Sequence, residues 1–88
     1  MIHSRTTREF REAFASLPHD IRRHTQRAYR LFRTDPRDPS LRFKKVDEES
    51  NVYSVRIGLG YRALGVMDGS TVVWFWIGSH AEYDHLLG

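Results

Sequence analysis

The stretch Thr71 to Ile77, TVVWFWI, constrains this chain more than any other. Strand alternation places Val73, Phe75 and Ile77 on one side and Val72, Trp74 and Trp76 on the other. A strand that is apolar on both faces sits inside a sheet, with something covering its second side. The rest of the chain has to supply neighbours and a cover.

The neighbours are legible immediately upstream. Val52 to Ile57 alternates, with Tyr53, Val55 and Ile57 on one face and Val52, Ser54 and Arg56 on the other. Gly58-Leu59-Gly60 reads as a hairpin connection, Tyr61 to Met67 as the returning strand, and Asp68-Gly69 as a two-residue turn into the apolar strand. Before them, Arg42 to Val46 reads as a further strand, joined through the acidic turn from Asp47 to Asn51.

The cover lies at the N-terminus. Thr6 to Glu9 has capping-box spacing, and Phe10, Phe14 and Leu17 follow at the i, i+4, i+7 intervals of one helical face. Pro18 breaks that helix and opens a second one running to about Thr34, with Ile21, Ala28, Leu31 and Phe32 near one stripe. Asp35-Pro36 and Asp38-Pro39 end it, since a residue before proline avoids the helical region. Ile2 fits a brief strand before the first helix. The expected class is α+β: an N-terminal helical hairpin packed on a curved antiparallel β-sheet.

At 88 residues the chain predicts one domain over positions 1–88. It contains no cysteine, which excludes disulfides and thiolate metal sites. The first residues lack a signal-peptide run and no window has the roughly 18 apolar residues of a membrane span, so a cytoplasmic location is expected. Of the 14 basic residues, all but Lys44 and Lys45 are arginine. Guanidinium groups pair bidentately with phosphate and carboxylate, which points to a polyanion or an acidic protein partner.

Four cationic features converge in this topology. Arg56 ends one strand and Arg62 opens the next across the Gly58–Gly60 turn. Lys44 and Lys45 lie in the preceding strand, and His80 leaves the last strand three residues beyond Ile77. Arginines beside a histidine suit phosphodiester chemistry, where guanidinium groups stabilise the developing charge and an imidazole moves a proton. RNA needs no metal for this when the ribose 2′-hydroxyl is the nucleophile. His3, His19 and His24 read as surface residues, and His80 with His85 lacks a third ligand for zinc. Asp84, His85, Leu86 and Leu87 are expected to dock the terminal segment.

The order helix, helix, strands, with VYSVRIGLGYRALGV, then Asp68-Gly69, VVWFWIGSH and Tyr83, resembles the RelE/ParE superfamily of type II toxin–antitoxin toxins. The likeness spans nearly the whole chain. It implies a cognate antitoxin as partner, laid over the apolar stripe of Val72, Trp74 and Trp76. In the RelE-like branch it implies cleavage of mRNA on the ribosome, without metal or organic cofactor. The family's catalytic positions match Arg56, Arg62 and His80, with Tyr83 near the C-terminal tyrosine of several members. Ser54 departs from the lysine of the most basic members, and Lys44 and Lys45 are expected to bind RNA phosphate in compensation. The ParE-like branch implies the same scaffold acting on DNA gyrase instead, and a third possibility is a member that binds antitoxin without toxicity.

Overall fold

The structure, a computed structural model, describes residues 2–87. In chain order it consists of β1 (His3–Thr6), α1 (Arg8–Ala15), α2 (His19–Thr34), a 3₁₀ turn (Pro39–Leu41), β2 (Lys44–Asp47), β3 (Val52–Ile57), β4 (Tyr61–Asp68), β5 (Thr71–Ser79) and α3 (His80–Leu87). Among the described residues, no helix is long and apolar enough to cross a membrane.

The five strands form one sheet in the order β1-β5-β4-β3-β2. β5 is interior, as its double apolar face requires, with β4 antiparallel on one side and β1 on the other. β1 runs parallel to β5, pairing His3 with Thr71 and Thr6 with Trp74. The sheet is therefore mixed rather than wholly antiparallel. Local turn signals reveal hairpins, but a parallel pair needs a long crossover, here the two helices and three strands between β1 and β5.

Strand pairing also moves the start of α1. Thr6 belongs to β1, and the Thr7 amide continues the ladder by donating to the Trp74 carbonyl at 3.0 Å. The cap is consequently Thr7, whose Oγ1 accepts from the Phe10 amide at 3.1 Å. The expected Thr6–Glu9 box does not form. α2 occupies the expected span, with Pro18 at its cap position. Arg22 reaches back to donate to the Leu17 carbonyl at 2.6 Å, satisfying a group at the end of α1.

The hairpin of α1 and α2 covers the sheet face that carries Val55, Ile57, Ala63, Val72, Trp74 and Ile77. Phe32 of α2 stands edge-on to Trp74 at 5.5 Å and to Phe43 at 4.9 Å, an arrangement favoured by the ring quadrupoles. Val72 and Trp74 are thus buried between layers and are not an open stripe. That is a correction to the surface expected from alternation.

A second correction lies in β5 itself. Leu64 pairs with Trp76 and Gly65 pairs with Trp74, leaving Phe75 as an extra residue. Such a bulge reverses the side-chain parity beyond it. Ile77 consequently joins Val72 and Trp74 in the core, while Trp76 passes to the opposite face. Opposite Trp74, a Cβ at Gly65 would stand 2.7 Å from both the indole ring and a Val72 methyl. Glycine is required there by contact with the core.

The segment after β5, expected to dock the terminus, is a helix. Ser79 and Glu82 make a reciprocal box: the Ser79 amide donates to Glu82 Oε1 at 2.8 Å, and the Glu82 amide to Ser79 Oγ at 3.2 Å. The Ser79 bonds, backbone first, hold the exposed Glu82 carboxyl below the usual carboxylate range. Among the described side chains of this helix Tyr83 alone is buried, whereas Asp84, His85 and Leu86 are exposed. The Leu87 side chain lies outside the described residues.

Two outcomes follow from these contacts. Gly65→Ala should lower stability by about 1–3 kcal/mol through overpacking, read as a reduced urea midpoint; an unchanged midpoint would contradict the close approach. Because the folded Glu82 carboxyl is the stronger acid, its contribution is present above the unfolded carboxylate pKa and lost as pH falls through the lower folded value. Hydrogen-exchange protection of α3 should therefore fall on acidification through the carboxylate range. In Glu82→Gln, that loss should be much smaller.

Candidate functional site

The site is built on the sheet face away from the helical hairpin. Cross-strand partners share a face, and the register pairs Lys44 with Ser54, Ser54 with Leu64, and Leu64 with Trp76. One step further along, Arg56 pairs with Arg62, and Arg62 with Gly78. Two arginines stand directly opposite each other on neighbouring strands, a placement that opposes folding by charge repulsion. Neither has a carboxylate partner among the described residues.

Each guanidinium is positioned by a different device. Arg56 Nε donates to the Gly58 carbonyl at 2.9 Å, which anchors it to the β3–β4 turn. Gly58 adopts φ +59, the left-handed region favourable for glycine, and its α-carbon faces the His24 ring. Arg62 lies under α3, its guanidinium carbon 5.1 Å from the centroid of the Tyr83 ring. A desolvated contact of this kind contributes about 2 kcal/mol. Arg62 Nε and Nη1 are buried without a hydrogen-bond partner among the described residues, as is Ser54 Oγ. Unmatched polar atoms are costly in an apolar interior; Ser54 is fully buried, whereas Arg62 is partly exposed.

His80 is the first residue of α3. Its amide donates to the Gly60 carbonyl at 2.7 Å, tying it to the same turn that anchors Arg56. Its ring lies 6.2 Å from that of Tyr83, nearly parallel at 28°. The Nε2 atom is 3.4 Å from Asp84 Oδ2, an exposed i,i+4 pair on one helical face. Asp84 thus faces the imidazole instead of docking the terminus. Arg56, Arg62, His80 and Tyr83 are gathered around the β3–β4 turn and the start of α3.

The two lysines are separated by the register. Lys44 shares the face of Ser54, Arg56 and Arg62. Lys45 pairs with Tyr53 on the opposite face, and its Nζ lies 3.5 Å from Glu48 Oε2. The structure thus corrects the expectation that both lysines line the site. Sequence reasoning missed the His80–Asp84 pair and the Ser79–Glu82 box that orients it. The signal for both was present: Ser-x-x-Glu followed by His and Asp four residues apart. Among the described residues, no three His, Asp or Glu side chains gather closely enough to hold a metal ion.

Comparison with known proteins agrees with this architecture. The chain superimposes on the RelB–RelE antitoxin–toxin complex from Methanococcus jannaschii with a TM-score of 0.69 and 19% identity, covering 92% of this chain and 96% of that one. For YafQ from E. coli strain BL21(DE3) the TM-score is 0.71 at 8% identity, covering 94% and 98%. For the archaeal RelE–RelB complex from Pyrococcus horikoshii OT3 it is 0.71 at 14%, covering 89% and 93%. No curated protein sequence matches. The family model of the ParE-like toxin domain matches residues 19–85, from the first residue of α2 into α3. The match covers β2 to β5 and all four residues gathered at the site, and on it the chain belongs to the ParE-like toxin domain family.

Proposed function

We propose that this chain is the toxin of a type II toxin–antitoxin pair and acts in the cytoplasm as an endoribonuclease on ribosome-bound mRNA. The observation that carries the reading is Arg62, whose buried, unpartnered Nε and Nη1 lie on the face shared with Arg56 and beside His80. Such a cluster suits the phosphate of an RNA strand.

The chemistry follows from the groups present. The ribose 2′-oxygen bonds to the adjacent phosphorus as the bond to the 5′-oxygen breaks, and charge accumulates on the phosphoryl oxygens. Arg56 and Arg62 stabilise that charge. One proton leaves the 2′-hydroxyl and one reaches the departing 5′-oxygen; His80, steadied by Asp84, carries one of these transfers. Tyr83 holds the Arg62 plane in place, and Lys44 extends the cationic face along β2. Lys45, on the opposite face, has no part in this scheme.

An antitoxin polypeptide is the expected partner. Burial of Val72 and Trp74 leaves no open stripe on β5, and the docking surface becomes the cleft between hairpin and sheet, with Trp74 in its lining. That cleft has a volume of about 680 Å³ and is lined by Phe10, Phe14, Tyr29 and Phe32 with Arg11 at its side. An amphipathic, acidic segment fits this combination of apolar floor and cationic rim.

A second reading is inhibition of DNA gyrase, favoured by the ParE-like family match. The two readings separate cleanly. Purified protein added to in vitro translation should leave cut transcripts, mapped by primer extension. Arg62→Ala and His80→Ala should each lower cleavage by about 10²-fold or more, with thermal unfolding checked in parallel. Intact transcripts together with blocked gyrase supercoiling would overturn the nuclease reading in favour of the second.

A further inference from the structure

One large aromatic side chain stands outside both the core and the cleavage scheme. The bulge at Phe75 carries Trp76 out of the core and onto the face of Leu64, Arg56 and Arg62. Trp76 is only half-buried there and takes no part in the core cluster. An indole is among the largest apolar groups a small domain can bury, so leaving it at the surface forgoes stability. Bulges recur beside functional sites, where the extra residue re-aims a side chain.

Gly78 sets where the ring lies. A Cβ at that position would stand 2.6 Å from Trp76 Cζ2 and 2.7 Å from Cη2. The far edge of the indole therefore occupies the space that a side chain at residue 78 would fill. Gly78 is itself buried, and it is the cross-strand partner of Arg62. Paired positions place their Cβ atoms about 5 Å apart, so the indole edge lies one strand spacing from the Arg62 side chain. Glu82 Oε1 is 3.1 Å from the same point, held there by the Ser79 amide. A carboxylate oxygen near the edge of the ring is favoured by the aromatic quadrupole, whose edge is positive.

The ring is thus fixed in position, yet it has no aromatic or hydrogen-bonding partner. Trp74 Nε1 donates to Ser4 Oγ at 3.3 Å, whereas Trp76 Nε1 has no partner among the described residues. Among those residues no other aromatic ring stacks on Trp76.

We propose that Trp76 is a stacking platform for a nucleobase of the RNA strand whose phosphate Arg62 holds. The platform rests on the nuclease reading and adds to it a residue that contacts the base. A base is joined to its phosphate through one sugar, a reach that suits the one-strand separation of Trp76 and Arg62. Every base offers a π-face, and preference among bases comes from stacking strength. A protein side chain fits less well here. It would have to enter beside two guanidinium groups without carboxylate partners, whereas a nucleotide brings the anion that pairs with them.

The test uses ribosomes programmed with mRNA that carries 2′-O-methyl ribose across the vacant codon, which removes the attacking hydroxyl and prevents cleavage. Binding of the chain, labelled at its N-terminus, is read by anisotropy, with each base of that codon replaced in turn by an abasic sugar. For the unsubstituted chain, base removal at one position should weaken binding about ten-fold. In Trp76→Leu the same removal should cost less than about two-fold, because ring and base belong to one contact. Trp76→Phe should keep most of the effect. A variant that is merely less folded would bind both mRNAs more weakly and leave their ratio unchanged. An unchanged ratio in Trp76→Leu would therefore overturn the platform, whatever its overall affinity. Equal affinity of the unsubstituted chain for the complete mRNA and every abasic one would overturn it as well. Unmodified mRNA on the same ribosomes tests the nuclease reading separately: cleavage with an unchanged ratio removes the platform alone, and intact mRNA removes both.

Discussion

A single extra residue in β5 organises both faces of the sheet. Phe75 has no partner on β4, so the parity that buries Val72 and Trp74 is reset before Ile77. Without that bulge, Ile77 would leave the core and Trp76 would enter it. With it, Trp76 lies on the site face, its ring against Gly78, where any Cβ would come within 2.6 Å of the indole. Gly78 is also the cross-strand partner of Arg62, so close packing of Trp76 leaves that arginine beside a bare backbone position. The strand then ends at Ser79, which is already the cap of α3.

That continuity links the fold to the site. Tyr83 sits four residues beyond Ser79, one turn into a helix whose start is fixed by two reciprocal bonds. Its ring covers the Arg62 guanidinium, and its neighbour His80 is tied through its own amide to the turn that also holds Arg56. The cations are held by backbone carbonyls, an aromatic face and strand register, not by carboxylates. Their charge is consequently left available to an outside anion, which an internal ion pair would have consumed.

Much of this could be read from residue order. The alternation in Val52–Ile57, the Gly58–Gly60 turn and the Asp68-Gly69 turn located three strands, and with them the proximity of Arg56 and Arg62. The helical hairpin was legible from Phe10, Phe14 and the proline positions. What escaped was non-local or register-dependent. β1 is parallel because residues nearly seventy positions apart pair, which no turn chemistry announces. The bulge at Phe75 sits in a run where every residue is apolar, so nothing in the pattern marks the change of parity. Misreading it placed Trp76 on the face of Val72 and Trp74 and kept Ile77 on the other. The α3 box was written plainly as Ser79-x-x-Glu82, but Thr6–Glu9 offered the same spacing, and strand pairing cancelled that one.

α3 lays Tyr83 across Arg62 and so holds a guanidinium without a carboxylate partner beside Arg56 and His80. Nuclear magnetic resonance of the Arg62 side chain in the 88-residue chain tests this arrangement. The expected result is an Nε–H signal slow to exchange with solvent, with cross-relaxation to the Tyr83 ring and none to any carboxylate-bearing side chain. A rapidly exchanging Nε–H without contact to Tyr83 would contradict it.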